Sequence, residues 1–261
     1  MRGAASAVAG ALLFCCAADA GAWTLPRGTA LIISGVTSSH ASMRFDGGGQ
    51  TAGPVVFNKL FVQNWMEYGL SDAFTLVLAP QYVMADTGAA GARVDHFASG
   101  SVEAGGRLLL SKRIGMLSLQ ATAKTAGAFD MSIAASGEGG RQLELRLLYG
   151  TGFKIFGRDG FVDVEAGRRW VGRPRPDETA LDVTLGLRPA QRDLILLQSF
   201  SVISDGVALR PYEPYRQFKL QASLVHQFTR HWSLQSGYFI TPAGRNTVKE
   251  TGLVSSLWLR L

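Results

Sequence analysis

Cysteine is nearly absent from this chain: of its 261 residues only Cys15 and Cys16 are cysteines, and both fall within the first 22 positions. The rest of the sequence can therefore form no disulfide. Long apolar runs are missing as well. Beyond the N-terminal segment no uninterrupted hydrophobic stretch approaches the ~20 residues a membrane helix needs, although 47% of all residues are hydrophobic. Only 9 prolines accompany 31 glycines, a balance that fits one large β-domain. There are four histidines, His40, His96, His226 and His231, but no Gly-x-Ser-x-Gly, no His-x-Ser-Asn-Gly and no carboxylate dyad at a useful spacing. Neither is there a His/Asp/Glu cluster with metal-ligand spacing, so the sequence predicts no catalytic residue, no metal and no cofactor. The net charge of +6 and isoelectric point of about 9.6 raise nucleic acid as a partner. Dispersed Lys and Arg, with no basic helix or aromatic-interleaved block, argue against it.

What is present is a dyad alternation that recurs along the chain. On 179–187, Leu181, Val183, Leu185 and Leu187 share one face, while Ala180, Asp182, Thr184 and Gly186 share the other. On 217–228, Phe218, Leu220, Ala222, Leu224 and Phe228 oppose Gln217, Lys219, Gln221, Ser223 and Gln227. A strand with one wholly apolar face and one polar face lies between two different solvents. Strands of this length and repetition predict an all-β fold, an antiparallel transmembrane β-barrel whose outer wall meets lipid and whose lumen is polar.

The first 22 residues read as a cleaved signal peptide. Arg2 supplies the positive n-region, 8–16 the small-to-apolar h-region, and Ala20-Gly21-Ala22 an A-x-A site that would leave Trp23 first in the mature chain. Phe14 stands before Cys15, where a lipoprotein signal wants a small residue, so ordinary cleavage is favoured. The barrel then occupies 23–261.

Twelve strands are expected, at 28–42, 55–68, 74–84, 101–110, 116–129, 141–153, 161–171, 179–188, 194–203, 215–228, 233–241 and 248–261. Their connections alternate. Short turns fall at 69–73, 111–115, 157–160, 189–193 and 229–232, and longer Gly-, Asp- and Ser-rich loops are centred on 46–49, 86–97, 130–140, 172–178, 204–213 and 242–247. Five short turns and six longer loops are what twelve antiparallel strands with both termini periplasmic require. Segments 55–68 and 194–203 are apolar on both faces, so their orientation stays open and so does a ten- or fourteen-stranded count.

The polar faces supply the candidate solute-facing set Glu103, Arg107, Lys124, Glu144, Arg146, Glu165, Arg169, Asp182, Arg188 and Lys219. Counting across the short turns sets Glu103 and Arg107 against Lys124 and Gln120, and Arg146 near Glu165. Such pairs either rigidify a narrow, largely filled barrel or leave the basic members, Arg107, Lys124, Arg146, Arg169, Arg188 and Lys219, to attract an anionic solute. Trp65, Tyr68, Tyr149, Phe153, Phe161, Phe228, Trp232 and Trp258 cluster near the short-turn rim and are expected to form an interfacial girdle. In the loop 204–215, Arg210, Tyr212, Glu213 and Tyr215 combine aromatic faces with charge, while Pro211 and Pro214 stiffen the backbone. That set suits sugar stacking or a protein contact; the plainer alternative is a stiff loop whose tyrosines pack on the rim.

Three short elements carry a resemblance. Ala22-Trp23-Thr24-Leu25-Pro26-Arg27-Gly28, Phe57-Asn58-Lys59 and Glu67-Tyr68-Gly69-Leu70-Ser71-Asp72-Ala73-Phe74-Thr75-Leu76 resemble proteobacterial outer-membrane proteins of the XagA-like type. The last also resembles barrels of the phenol-degradation-associated MetA-pathway family. The resemblance implies a Gram-negative outer-membrane location and a role in exopolysaccharide export or surface attachment, and it assigns no functional residue. The chain's end, Leu257-Trp258-Leu259-Arg260-Leu261, alternates like the signal read by barrel-assembly machinery, with Leu in place of the usual final aromatic. Expected partners are thus outer-membrane lipid, that machinery and a polysaccharide. A passive channel is the leading expectation. Its rivals are a non-conducting barrel presenting surface loops and, further off, a lipid-modifying hydrolase.

Overall fold

The computed structural model describes residues 21–89, 95–125, 141–172, 175–205 and 213–261. Its strands are β1 (Ala30–Phe45), β2 (Thr51–Ser71), β3 (Phe74–Ala89), β4 (Asp95–Ser111), β5 (Met116–Lys124), β6 (Gln142–Ile155) and β7 (Arg158–Val171). They continue with β8 (Asp177–Ala190), β9 (Asp193–Asp205), β10 (Arg216–Gln227), β11 (Trp232–Arg245), β12 (Thr247–Val248) and β13 (Thr251–Arg260). β12 is a two-residue pairing beside β1 at the long-loop end, leaving twelve full strands. Each pairs antiparallel with its neighbour in sequence, and β1 pairs with both β2 and β13, which closes the sheet into a barrel. The seam ends in reciprocal backbone bonds between Ala30 and Leu261, at 3.0 and 2.9 Å. Closure leaves no unpaired sheet edge in the wall, the condition for crossing a membrane with strands.

Period two sorts the side chains as the alternation predicts. On β6, Leu143, Leu145 and Leu147 point outward, 53, 41 and 47% exposed, while Gln142 and Leu148 on the opposite face are buried. An outer wall of exposed leucines is stable only against an apolar solvent.

The expected twelve strands all form, with shifted ends. The 86–97 loop is largely strand, because β3 and β4 keep pairing through Asp86↔His96 and Thr87↔Asp95. β5 stops at Lys124, and residues 126–129 of the expected strand lie outside the described residues. The two strands with ambiguous faces are resolved by what fills the lumen. β9 turns Leu194 and Leu196 inward, where they pack with Phe161 and Val225 in a cluster joined by Trp23 and Trp258. β2 turns Phe57, Lys59 and Glu67 inward, all buried. The girdle expectation needs correction for the same reason. Tyr68, Phe228 and Trp232 are on the outer wall, but Phe161 and Trp258 line the lumen core, and the Trp65 indole donates inward to Glu67 at 2.9 Å.

Candidate functional site

The chain before β1 does not trail away from the barrel. It folds back into the lumen at the short-turn end and plugs it. Gly28 N–H donates to Gly69 O at 2.7 Å, and Arg27 N–H donates to the Asp72 carboxylate at 2.9 Å, which fixes the entry beside the β2–β3 turn. Gly69 is required there: a Cβ on it would lie 2.1 Å from the Pro26 carbonyl oxygen. Further in, Leu25 N–H donates to Thr75 Oγ1 on β3 at 2.8 Å, and the Trp23 carbonyl accepts from Arg107 Nη1 on β4 at 2.8 Å. The Ala22 carbonyl accepts from Ser118 Oγ on β5 at 2.5 Å, and Ala22 N–H donates to Asp163 Oδ1 on β7 at 2.8 Å. Ala22 is wholly buried, and Leu25 nearly so. The Trp23 indole lies over Gly150 of β6, where a Cβ would come within 2.5 Å of it. The buried residues Ala22 and Leu25 thus have backbone groups partnered by the wall, as a buried segment needs.

Arg107 is the hub of this end. Its side chain is 2% exposed and its partner Glu67 is wholly buried, with Nη2 to Oε1 at 2.7 Å; Nε also donates to Gln120 at 3.0 Å. One guanidinium therefore joins β2, β4, β5 and the plug.

Above the plug the lumen is lined by interlocked charges. Arg146 reaches Glu144 at 2.6 Å, Glu165 at 2.7 Å and Asp182 at 2.5 Å; Arg169 bridges Glu144 at 3.1 Å and Glu178 at 2.6 Å. Across the lumen Glu250 holds Lys59 at 3.0 Å and Lys219 at 2.7 Å. Near the long-loop mouth Arg175 turns inward to Glu178 at 2.9 Å, and the Tyr215 hydroxyl donates to the same carboxylate. Two adjoining cavities of about 250 and 390 Å³ lie within this lining and share Arg169, Val202 and Gln217 as wall. Gln63, Gln81, Gln142 and Gln221 line them with amides, and Phe61, Phe200 and Phe239 with rings.

The charged candidates read from the alternation on these strands face the lumen. Glu103 stands opposite Lys124 and accepts from Gln81 at 3.3 Å, and Arg107 stands opposite Gln120. Arg188 is on the lumen-facing parity of β8, six residues nearer the short turn than Asp182. The basic set is not, however, a free anion-attracting surface. Arg107, Arg146, Arg169 and Lys219 are each committed to carboxylates of neighbouring strands. In the loop, Tyr215 is buried and faces inward, so it is not an outer contact; Glu213 is exposed, and Arg210 and Tyr212 lie outside the described residues. The alternation did not reveal the plug or the roles of Lys59, Glu67 and Glu250. The available signal was a charged residue within a doubly apolar strand: Lys59 and Glu67 both interrupt β2.

On the outer wall His96 Nδ1 lies 2.7 Å from Asp86, and His226 Nδ1 lies 2.7 Å from Asp193. Among the described residues no serine is hydrogen-bonded to either histidine, and no group of acidic, His or Cys side chains could hold a metal ion.

No protein-family model matches the sequence, and no curated protein matches it. The structure is similar to an outer membrane channel from Pseudomonas putida F1, with a TM-score of 0.68 at 12% identity over 92% of this chain and 98% of that one. It is also similar to the translocator domain of the autotransporter NalP from Neisseria meningitidis (TM-score 0.56, 10% identity, 89% and 88% covered) and to LpxR from Salmonella typhimurium (0.51, 10%, 88% and 99%). At these identities the likeness is one of fold: the chain has the closed, twelve-stranded architecture of outer-membrane β-barrels.

Proposed function

We propose that this protein is a passive channel of a Gram-negative outer membrane, closed at rest by its own N-terminal segment. The short-turn end, with the plug, faces the periplasm, as in outer-membrane barrels generally. The carrying observation is the contrast within the lumen. A pair of adjoining cavities lined by charges, amides and aromatic rings occupies the upper part, while the lower part is shut by a peptide held noncovalently at a few points. Because the lining charges are paired with one another, the channel suits polar solutes of low net charge. Its amides and rings are the groups that hydrogen-bond and stack on sugars. The resemblance of its motifs to XagA-like proteins favours an exopolysaccharide as cargo, and the fold shared with the P. putida channel supports conduction.

The test is single-channel conductance in planar bilayers, comparing the wild-type chain with a variant lacking residues 22–26. Rare or small openings in the wild type, large openings in the variant and block by neutral oligosaccharide are the expected results. A folded variant that never conducts would overturn the channel reading. The alternative is then a structural barrel, which the dense Arg107–Glu67 and Arg146 networks favour.

A further inference from the structure

The sequence around the plug offers two A-x-A sites for leader cleavage: Ala18-Asp19-Ala20, which would leave Gly21 first, and Ala20-Gly21-Ala22, which would leave Trp23 first. The barrel discriminates between them. Ala22 is wholly buried and both of its backbone groups are in use: its N–H donates to Asp163 and its carbonyl accepts from Ser118. Cutting after Ala22 would remove both groups and leave Asp163 and Ser118 facing a vacated interior. Gly21 is buried too, and it sits so close to the wall that a Cβ would lie 2.9 Å from the Asp163 carboxylate. A side chain there would push the carboxylate aside, and the Gly21 nitrogen is bonded to the same Cα. Asp163 is 2% exposed; it accepts from the Ala22 N–H and shares a side-chain hydrogen bond with a second carboxyl group, Glu165. Two adjoining carboxyl groups, with a neutral backbone N–H as the donor on Asp163, call for a counter-charge at that point. Arg107 attracts Asp163 without a hydrogen bond to it, its guanidinium donating to Glu67, Gln120 and the Trp23 carbonyl.

We propose that export cleaves the chain between Ala20 and Gly21, and that the α-ammonium released at Gly21 is the buried counter-charge that latches the plug to Asp163. In the cleavage, water adds across the Ala20–Gly21 amide. The C–N bond breaks, Ala20 departs with the new carboxylate, and Gly21 keeps the nitrogen as an amine that takes up a proton near neutral pH. Cleavage would thus create the charge that seats the plug, and an uncleaved chain would carry a neutral amide at that point.

The first experiment is intact mass and N-terminal sequencing of the protein purified from outer membranes. The expected start is Gly21-Ala22-Trp23. A chain beginning at Trp23, lighter by one glycyl and one alanyl residue, or one retaining residues 1–20, would overturn the cleavage site. The second is labelling of the α-amine with an amine-reactive ester. Loss of labelling is expected in the folded barrel, with recovery after heat unfolding. In folded Asp163→Asn, verified by heat-modifiable gel mobility, labelling is expected to return. An α-amine that labels equally in folded and unfolded wild-type protein would overturn the latch even if Asp163→Asn failed to fold. Neither readout uses conductance, so this proposal and the channel reading fail separately.

Discussion

The indole of Trp23 meets the ring of Phe161 edge-on, with centroids 5.6 Å apart and planes at 84°. Edge-to-face pairs of this geometry contribute about 0.5–1.5 kcal/mol beyond the area they bury. Phe161 belongs to β7 and also packs with Leu194, Leu196 and Val225, so the plug is seated in a dry apolar socket as well as by hydrogen bonds.

Trp23→Ala is therefore expected to empty the socket without touching the wall. Truncating a large aromatic costs about 3 kcal/mol, taken here mostly from plug seating. Longer and more frequent openings in a planar bilayer, with heat-modifiable mobility close to wild type, are the outcome to look for. Unchanged gating would mean the indole does not hold the plug.

Arg107→Met is expected to be worse than the loss of one contact. It strands the wholly buried Glu67 carboxylate, and breaking a buried pair from one side costs about 3–5 kcal/mol. Urea unfolding should show a large fall in midpoint, and the double variant Arg107→Met with Glu67→Gln should regain much of it. Failure of the double variant to improve on the single one would show that Glu67 is not the source of the cost.

Arg146→Gln probes selectivity. Arg146 is shared by Glu144, Glu165 and Asp182, so its removal leaves that cluster of carboxylates with more negative charge than before. In a variant lacking 22–26, the reversal potential under a salt gradient should move toward cation preference relative to the same variant with Arg146. No movement would place these carboxylates off the conduction path.

Glu250 sets an acid limit at the long-loop end. It lies outside the strands, in the break between β12 and β13. Burial pushes its carboxyl up, but Lys59, Lys219 and the Ser39 hydroxyl outweigh burial and hold it at about 2. Since this folded value lies below the unfolded value of about 4.3, the group's stabilisation is complete above that pH and is lost as pH falls toward 2. Unfolding midpoints measured from pH 6 to 2 should drop across that window in the wild type. Glu250→Gln should be less stable at pH 6 and flatter below pH 4; parallel curves would refute the assignment.

Much of the wall was legible because a two-solvent strand writes its orientation in period two. The hairpin count alone set Glu103 opposite Lys124 and brought Arg146 beside Glu165, since a short turn leaves little freedom of register. The plug was not legible. Residues 22–28 have no periodicity, and their partners are remote, Thr75 lying 50 positions from Leu25 and Asp163 lying 141 from Ala22. Its presence also explains one of the two strands whose faces could not be told apart, β9. Leu194 and Leu196 are apolar because they face a peptide, while the opposite side of the same strand faces lipid. Tyr215 misled for a related reason: an aromatic in a loop beside Pro214 looks like an outward contact until the chain is seen to turn it onto Glu178.

The plug's two ends have a mechanical consequence. One is covalently continuous with β1, and the other is bonded to Asp163 on β7, six strands away around a ring of twelve. β1 and β7 face each other, so the segment runs as a chord along a diameter. A ring of strands resists stretching along its hydrogen bonds but flattens easily into an ellipse; a chord of fixed length opposes outward bowing along its own axis. Releasing it would unblock the lumen and also soften the cross-section, so passage and roundness are governed by the same short peptide.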